Sequence, residues 1–147
     1  MDNESCCFRV EQEDLELLKL LFPDDFDKRL RQLREGTIDI FAVSAAGRPV
    51  GRIVANYTNQ HLDTETLPKV RACLSHFFLW KEFRGRGLGS CLLAFALNEL
   101  SARGYREFTV GVEEKNSVAK HLYFQNGFLE KIDRGYTPCE YDLYLKR

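Results

Sequence analysis

A chain of 147 residues with 44% hydrophobic and 29% charged content has the composition of one ordinary globular domain, here taken to span residues 1–147. At that length a fold buries about 68–70% of the surface its unfolded chain exposes, so its core needs no disulfide or metal staple. Twenty-one Lys+Arg against 22 Asp+Glu leave a net charge of −1 and no basic excess for displacing the counterions of nucleic acid.

Five cysteines (Cys6, Cys7, Cys73, Cys91 and Cys139) make an odd set without C-x-x-C, which indicates neither a disulfide framework nor a zinc site. No metal is expected. Cys73 and Cys91 read as packing residues, because free cysteine behaves as a small buried hydrophobe. Met1 to Ser5 are acidic and polar where a secretory signal would be basic and then apolar. No stretch approaches the roughly 18 apolar residues of a membrane span. The expectation is a cytoplasmic protein with no membrane partner.

The first apolar residues, Cys7, Phe8 and Val10, begin a strand. Asp14 to Phe22 then places Leu15, Leu18 and Phe22 on one side at helical spacing, and Pro23 stops the helix. A second amphipathic helix carries Phe26, Leu30 and Leu33, with Lys28, Arg29, Arg31 and Arg34 as a solvated face and Gly36 as its C-terminal cap. Ile38 to Ser44 and Val50 to Tyr57 read as a hairpin around a Gly/Pro turn. Thr58 to Lys69 is a polar loop, in which Asp63 and Glu65, like Asp24 and Asp25 earlier, are expected to be solvated carboxylates. Val70 to Leu79, with Phe77 and Phe78, has the largely apolar, β-favouring content of a central strand.

A Gly-rich stretch follows, and then a helix with Leu88, Leu92, Phe95 and Ala96 as its stripe, closed by Arg103 and Gly104. Phe108 to Val112 is a strand, so strand, helix and strand form a βαβ unit with parallel neighbours. A shorter helix covers Ser117 to Asn126. The last strands are Phe128 to Ile132 and Tyr141 to Leu145. Tyr136, Tyr141 and Tyr144 suit a shared sheet edge, which leaves both a monomer and a homodimer open. The order β, α, α, β, β, β, α, β, α, β, β describes an α/β fold with a mixed sheet.

Arg84-Gly85-Arg86-Gly87-Leu88-Gly89-Ser90 sits between a strand and a helix. Glycines allow a tight turn and a close approach, and the N–H groups at a helix start bind phosphate oxygens. The loop lacks the G-x-G-x-x-G and acidic partner of a dinucleotide site and the G-K-[ST] of a Walker loop. A phosphate-ester cradle and a simple connecting turn both remain open on these residues alone.

The same stretch resembles the R/Q-x-x-G-x-G/A signature of the GNAT superfamily of N-acetyltransferases. Asn116-Ser-Val-Ala119-Lys-His-Leu122-Tyr123-Phe-Gln-Asn-Gly127-Phe128 is similar to that family's N-x-x-A-x-x-L-Y-x-x-x-G-F segment. The resemblance implies a mixed, mostly antiparallel sheet of six or seven strands with a splayed central pair, flanked by about four helices. It implies acetyl-CoA as co-substrate, with Arg84, Gly85, Arg86, Gly87, Leu88, Gly89 and Ser90 cradling its pyrophosphate and Asn116 contacting its arm. The Leu79 main chain would face the thioester, and Tyr123 would bind near the sulfur and protonate the departing thiolate. The acceptor would be a primary amine on a small molecule or protein. Many relatives carry a carboxylate nine residues before the motif's arginine, where this chain has Ser75. The proton acceptor is then either the adjacent His76 or a water relay. Ser75 also leaves a second reading open, a catalytically idle acyl-CoA-binding module.

Overall fold

The computed structural model describes residues 5–147. In chain order these form β1 (Ser5–Arg9), α1 (Leu15–Leu21), α2 (Phe26–Glu35), β2 (Ile38–Ala45), β3 (Arg48–Asn56), β4 (Arg71–Leu79), a 3-10 turn (Lys81–Phe83), α3 (Leu88–Ala102), β5 (Glu107–Val112), α4 (Ser117–Gln125), β6 (Glu130–Gly135) and β7 (Tyr141–Lys146). The seven strands are hydrogen-bonded in the order β1-β2-β3-β4-β5-β7-β6. Pairing is parallel between β4 and β5 and antiparallel in β1/β2, β5/β7 and β6/β7. The β4/β5 register runs only from Arg71↔Glu107 to Leu74↔Val110, although β4 continues to Leu79. That early end is the interruption expected of a splayed central pair.

Contacts divide the chain into two compact units that interleave in sequence, one of residues 1–55 and 76–97, the other of residues 56–75 and 98–147. In the first unit, β2 is buried on both faces, as alternation along a strand dictates. Ile38, Ile40 and Ala42 pack with Leu18, Leu21 and Phe22 of the α1 region, while Phe41, on the opposite face, meets Phe95 of α3 edge-on at 5.8 Å. Asp14 caps α1 by accepting from Leu17 N–H at 3.3 Å. Leu15 is exposed, and Leu21 takes the core place the spacing had assigned to it. The β2/β3 connection is a two-residue turn with Ala46 at φ 53° and Gly47 at φ 78°, the paired positive values that match a right-handed hairpin twist.

In the second unit, α4 ends in a Schellman motif. Gly127 takes φ 94°, its N–H donates to Phe124 C=O, and Phe128 N–H donates to Tyr123 C=O at 3.0 Å. Phe128 is thus part of the helix cap, and β6 begins two residues later than the sequence pattern suggests. β7 lies between β5 and β6, with Tyr144 buried, so β7 is no edge strand and only Tyr136 of the three tyrosines is well exposed. Among the described residues no helix is long and apolar enough to cross a membrane, and no cluster of His, Cys, Asp and Glu is suited to a metal ion.

Gly51 marks where β3 passes the end of β4. A Cβ there would collide with the Leu79 side chain and lie 3.0 Å from the Phe78 carbonyl oxygen and 3.1 Å from Val43 Cγ1. Gly51→Ala is expected to cost about 1–3 kcal/mol by overpacking, read as a lower urea midpoint with an unchanged slope. An unchanged midpoint would show that β4 yields freely at this point.

Candidate active site

In the first unit, the chain leaves β4 at Leu79, makes the 3-10 turn, and enters α3 through Arg84 to Gly87. Gly85 and Gly87 adopt φ 78° and 81°, and a Cβ at either would meet open space. Backbone conformation, not crowding, is what requires glycine at both positions. The first backbone bond into α3 runs from Cys91 N–H to Gly87 C=O at 3.1 Å. The N–H groups of Leu88, Gly89 and Ser90 precede it and have no carbonyl one turn back, while the helix dipole places its positive end there. This is an anion-binding geometry.

Arg84 contributes more than charge. Its Nε donates to Leu79 C=O at 2.9 Å and its guanidinium lies 5.2 Å from the Phe78 ring centroid, so it ties the loop to the end of β4. Arg86 and Arg48 lie at 5.1 and 5.3 Å over Phe83, a buried ring that holds two further cations near the loop. Cys91, in the first turn of α3, is exposed and does not pack as expected.

His76 departs from strand geometry, with φ 54° in the middle of β4. Few residues other than glycine take this conformation, histidine more readily than most. Its Nε2 lies 2.9 Å from Arg29 Nη2. A guanidinium has no acceptor, so Nε2 must accept, and the imidazole is neutral with its proton on Nδ1. Although the residue is exposed, partial desolvation of its ring and the adjacent Arg29 and Arg52 cations hold its pKa at about 4. Arg29 is itself buried and donates to Asp25 Oδ2 at 2.8 Å and Gln32 Oε1 at 2.9 Å. The solvated face expected for α2 therefore fails at Arg29, and Asp25 is ion-paired. The signal was present: position 29 falls three after Phe26 and four before Leu33, inside the buried stripe.

In the second unit, Tyr123 is buried, its ring packs edge-on against Phe128 at 5.6 Å, and burial raises its phenol well above the usual value. It stays protonated across physiological pH. Nearby Cys73 is buried and pushed up to about 12, chiefly by burial, which keeps it a thiol and matches its reading as a packing residue. Asn116 caps α4, with Oδ1 accepting from Ala119 N–H at 3.1 Å. Asn56 donates to Ser75 Oγ at 2.8 Å and to Cys73 C=O at 3.0 Å. Glu65, expected in solvent, is buried instead. Its carboxylate accepts from the N–H groups of Gln60, His61 and Leu62 at 2.6, 3.2 and 3.1 Å, and Thr109 Oγ1 donates to its carbonyl at 2.8 Å. Those bonds organise the loop from Thr58 to Lys69. Nothing in a polar sequence of this kind distinguishes such a residue from its solvated neighbours.

The depressed pKa of His76 makes a stability prediction. Between the unfolded value near 6.5 and the folded value of about 4, only the unfolded chain takes up a proton. Wild-type stability should fall as pH drops through that window, and His76→Asn should lose that part of the slope. Urea unfolding at pH 7 and pH 4.5 checks this, and identical slopes in the two proteins would contradict it.

Residues 3–128 match the family described as Acetyltransferase (GNAT) family. No curated protein matches the chain in sequence. Solved structures share its fold at low identity. An N-acetyltransferase from Staphylococcus aureus Mu50 is 18% identical, with a TM-score of 0.74 and 97% of each chain covered. The PaiA N-acetyltransferase from Thermoplasma acidophilum, in complex with coenzyme A, is 19% identical, with a TM-score of 0.71, 98% of this chain and 99% of that one covered. A GNAT family acetyltransferase from Elizabethkingia anophelis, with acetyl-CoA bound, is 14% identical, with a TM-score of 0.72, 100% of this chain and 99% of that one covered.

Proposed function

The chain belongs to the GNAT acetyltransferase family, and from that premise we propose that it moves the acetyl group of acetyl-CoA to a primary amine by direct attack. The observation that carries this reading is the strand-to-helix loop, where positive-φ glycines precede the N–H groups of Leu88, Gly89 and Ser90. These amides bind the pyrophosphate, and Arg86 with Arg48 adds positive charge beside it. Arg84 acts mainly by steadying Leu79, whose main chain faces the thioester and stabilises the developing oxyanion. Asn116 donates through Nδ2 to the cofactor arm while its Oδ1 serves the helix.

In this mechanism the neutral amine nitrogen attacks the thioester carbonyl carbon, a tetrahedral intermediate forms, and the C–S bond breaks as the nitrogen gives its second proton to solvent water, from which Tyr123 is afterwards reprotonated. The thiolate takes a proton from Tyr123, which stays protonated until that step. The amine's own proton must leave first. A neutral imidazole whose Nε2 already accepts from Arg29 is a weak acceptor for an ammonium of pKa near 10, which favours the water relay over His76.

Binding and turnover test this separately. The wild type should bind acetyl-CoA by calorimetry and release free thiol with at least one member of an amine panel. Gly87→Ala, strained at φ 81°, should bind about tenfold more weakly, in line with a left-handed cost of roughly 1–2 kcal/mol. Tyr123→Phe should lose about 100-fold in kcat, the lower end of general-acid effects, with cofactor affinity nearly unchanged. Full turnover by Tyr123→Phe would remove the acid assignment. The idle binding module is favoured by one feature, the hydrogen-bonded Ser75 where many relatives place a carboxylate. Tight cofactor binding without thiol release for any amine would establish it.

A further inference from the structure

Two arginines from separate elements converge on His76, which takes positive φ within β4. Arg29 of α2 presents a buried fork in which each nitrogen donates once: Nε to Asp25, Nη1 to Gln32, Nη2 to His76 Nε2. Arg52 of β3 donates through Nε to the His76 carbonyl at 3.4 Å and through Nη1 to the carbonyl of Leu21, at the end of α1. Its guanidinium stacks over Phe22 at 4.4 Å and over Phe78 at 5.3 Å. His76 is thus gripped at its ring from one side and at its carbonyl from the other. Burying a guanidinium is costly unless its donors are satisfied, and a satisfied planar fork fixes direction as well as distance.

The bend lies three residues before Leu79. A strand that continued regularly through His76 would carry Phe77, Phe78 and Leu79 along a different line, because one residue at φ 54° redirects all that follow it. Phe78 and Leu79 are in turn the residues that Arg84 holds from the loop side.

We infer that Arg29 is a positioning residue for acetyl transfer: by donating to His76 Nε2 it holds the left-handed bend of β4 and so aims the Leu79 backbone. This rests on the transferase reading above and deepens it. On this account His76 matters for its shape and its acceptor atom, not as a base. The charged groups that face its ring are Arg29, Arg52, Asp25 and Lys28, so cations predominate around it.

Glutamine is unbranched and its Oε1 reaches the place of Nε2, so it can accept from Arg29, whereas valine has no acceptor and its branched Cβ resists left-handed φ. His76→Gln should keep kcat within about threefold of wild type, while His76→Val and Arg29→Met should each lose about tenfold or more in kcat with KM for acetyl-CoA nearly unchanged, the pattern of misplaced reacting groups. If Arg29→Met fails to fold, Arg29→Lys keeps the charge beside Asp25 but loses the fork, and should show the same kcat loss. The Leu79 amide resonance gives a readout independent of turnover: it should shift in Arg29→Met or Arg29→Lys and stay near the wild-type position in His76→Gln. A His76→Gln enzyme as poor as His76→Val, or a Leu79 amide unmoved by loss of the fork, overturns the inference. A wild type that releases no thiol with any amine overturns instead the transferase reading beneath it, whatever the Leu79 amide does.

Discussion

The first N–H groups of an α-helix cannot be satisfied from within it, and at the head of α3 the chain is shaped around that fact. The approach through Arg84 to Gly87 uses two positive-φ glycines, and the space above both is open. A side chain at either position would carry backbone strain with no packing gained in return. What results is a short stretch of main chain suited to an anion, and its chemistry depends little on side-chain identity.

The second constraint acts on direction. Parallel pairing between β4 and β5 ends at Leu74 and Val110, and two residues later β4 turns through a conformation that a strand ordinarily excludes. Such a turn persists only where its surroundings hold it. Here the holding groups are two arginines, one buried in α2 and one stacked between aromatic rings on β3. Arg84 steadies the same stretch from the far end, through the Leu79 carbonyl. The end of β4 is therefore fixed at three points by charged side chains whose partners are carbonyls, a ring nitrogen and a carboxylate.

The order of elements was legible because period-2 and period-3.6 patterns alternate cleanly between Gly and Pro signals, and the loop and the Asn116 segment stood out by spacing. What escaped the sequence was long-range. Arg29 lies in a basic run and looks solvated until its place in the stripe of Phe26, Leu30 and Leu33 is counted. The charge at that position is tolerated only because Asp25, Gln32 and His76 meet it. Glu65 becomes a buried organiser of its loop through backbone N–H groups that no residue type reveals. Leu15 and Leu21 exchanged roles because a seven-residue helix between a cap and a proline turns too little for spacing alone to choose its inner face. Phe128 looks like strand in the sequence because the cap it completes depends on Gly127 adopting positive φ.

The most direct measurement is an amide NMR titration comparing coenzyme A with pantetheine, which shares the arm and lacks the diphosphate. The account predicts that coenzyme A moves the Gly87 to Ser90 amides strongly and that pantetheine leaves them in place. Coenzyme A binding elsewhere with those four amides unmoved would contradict it.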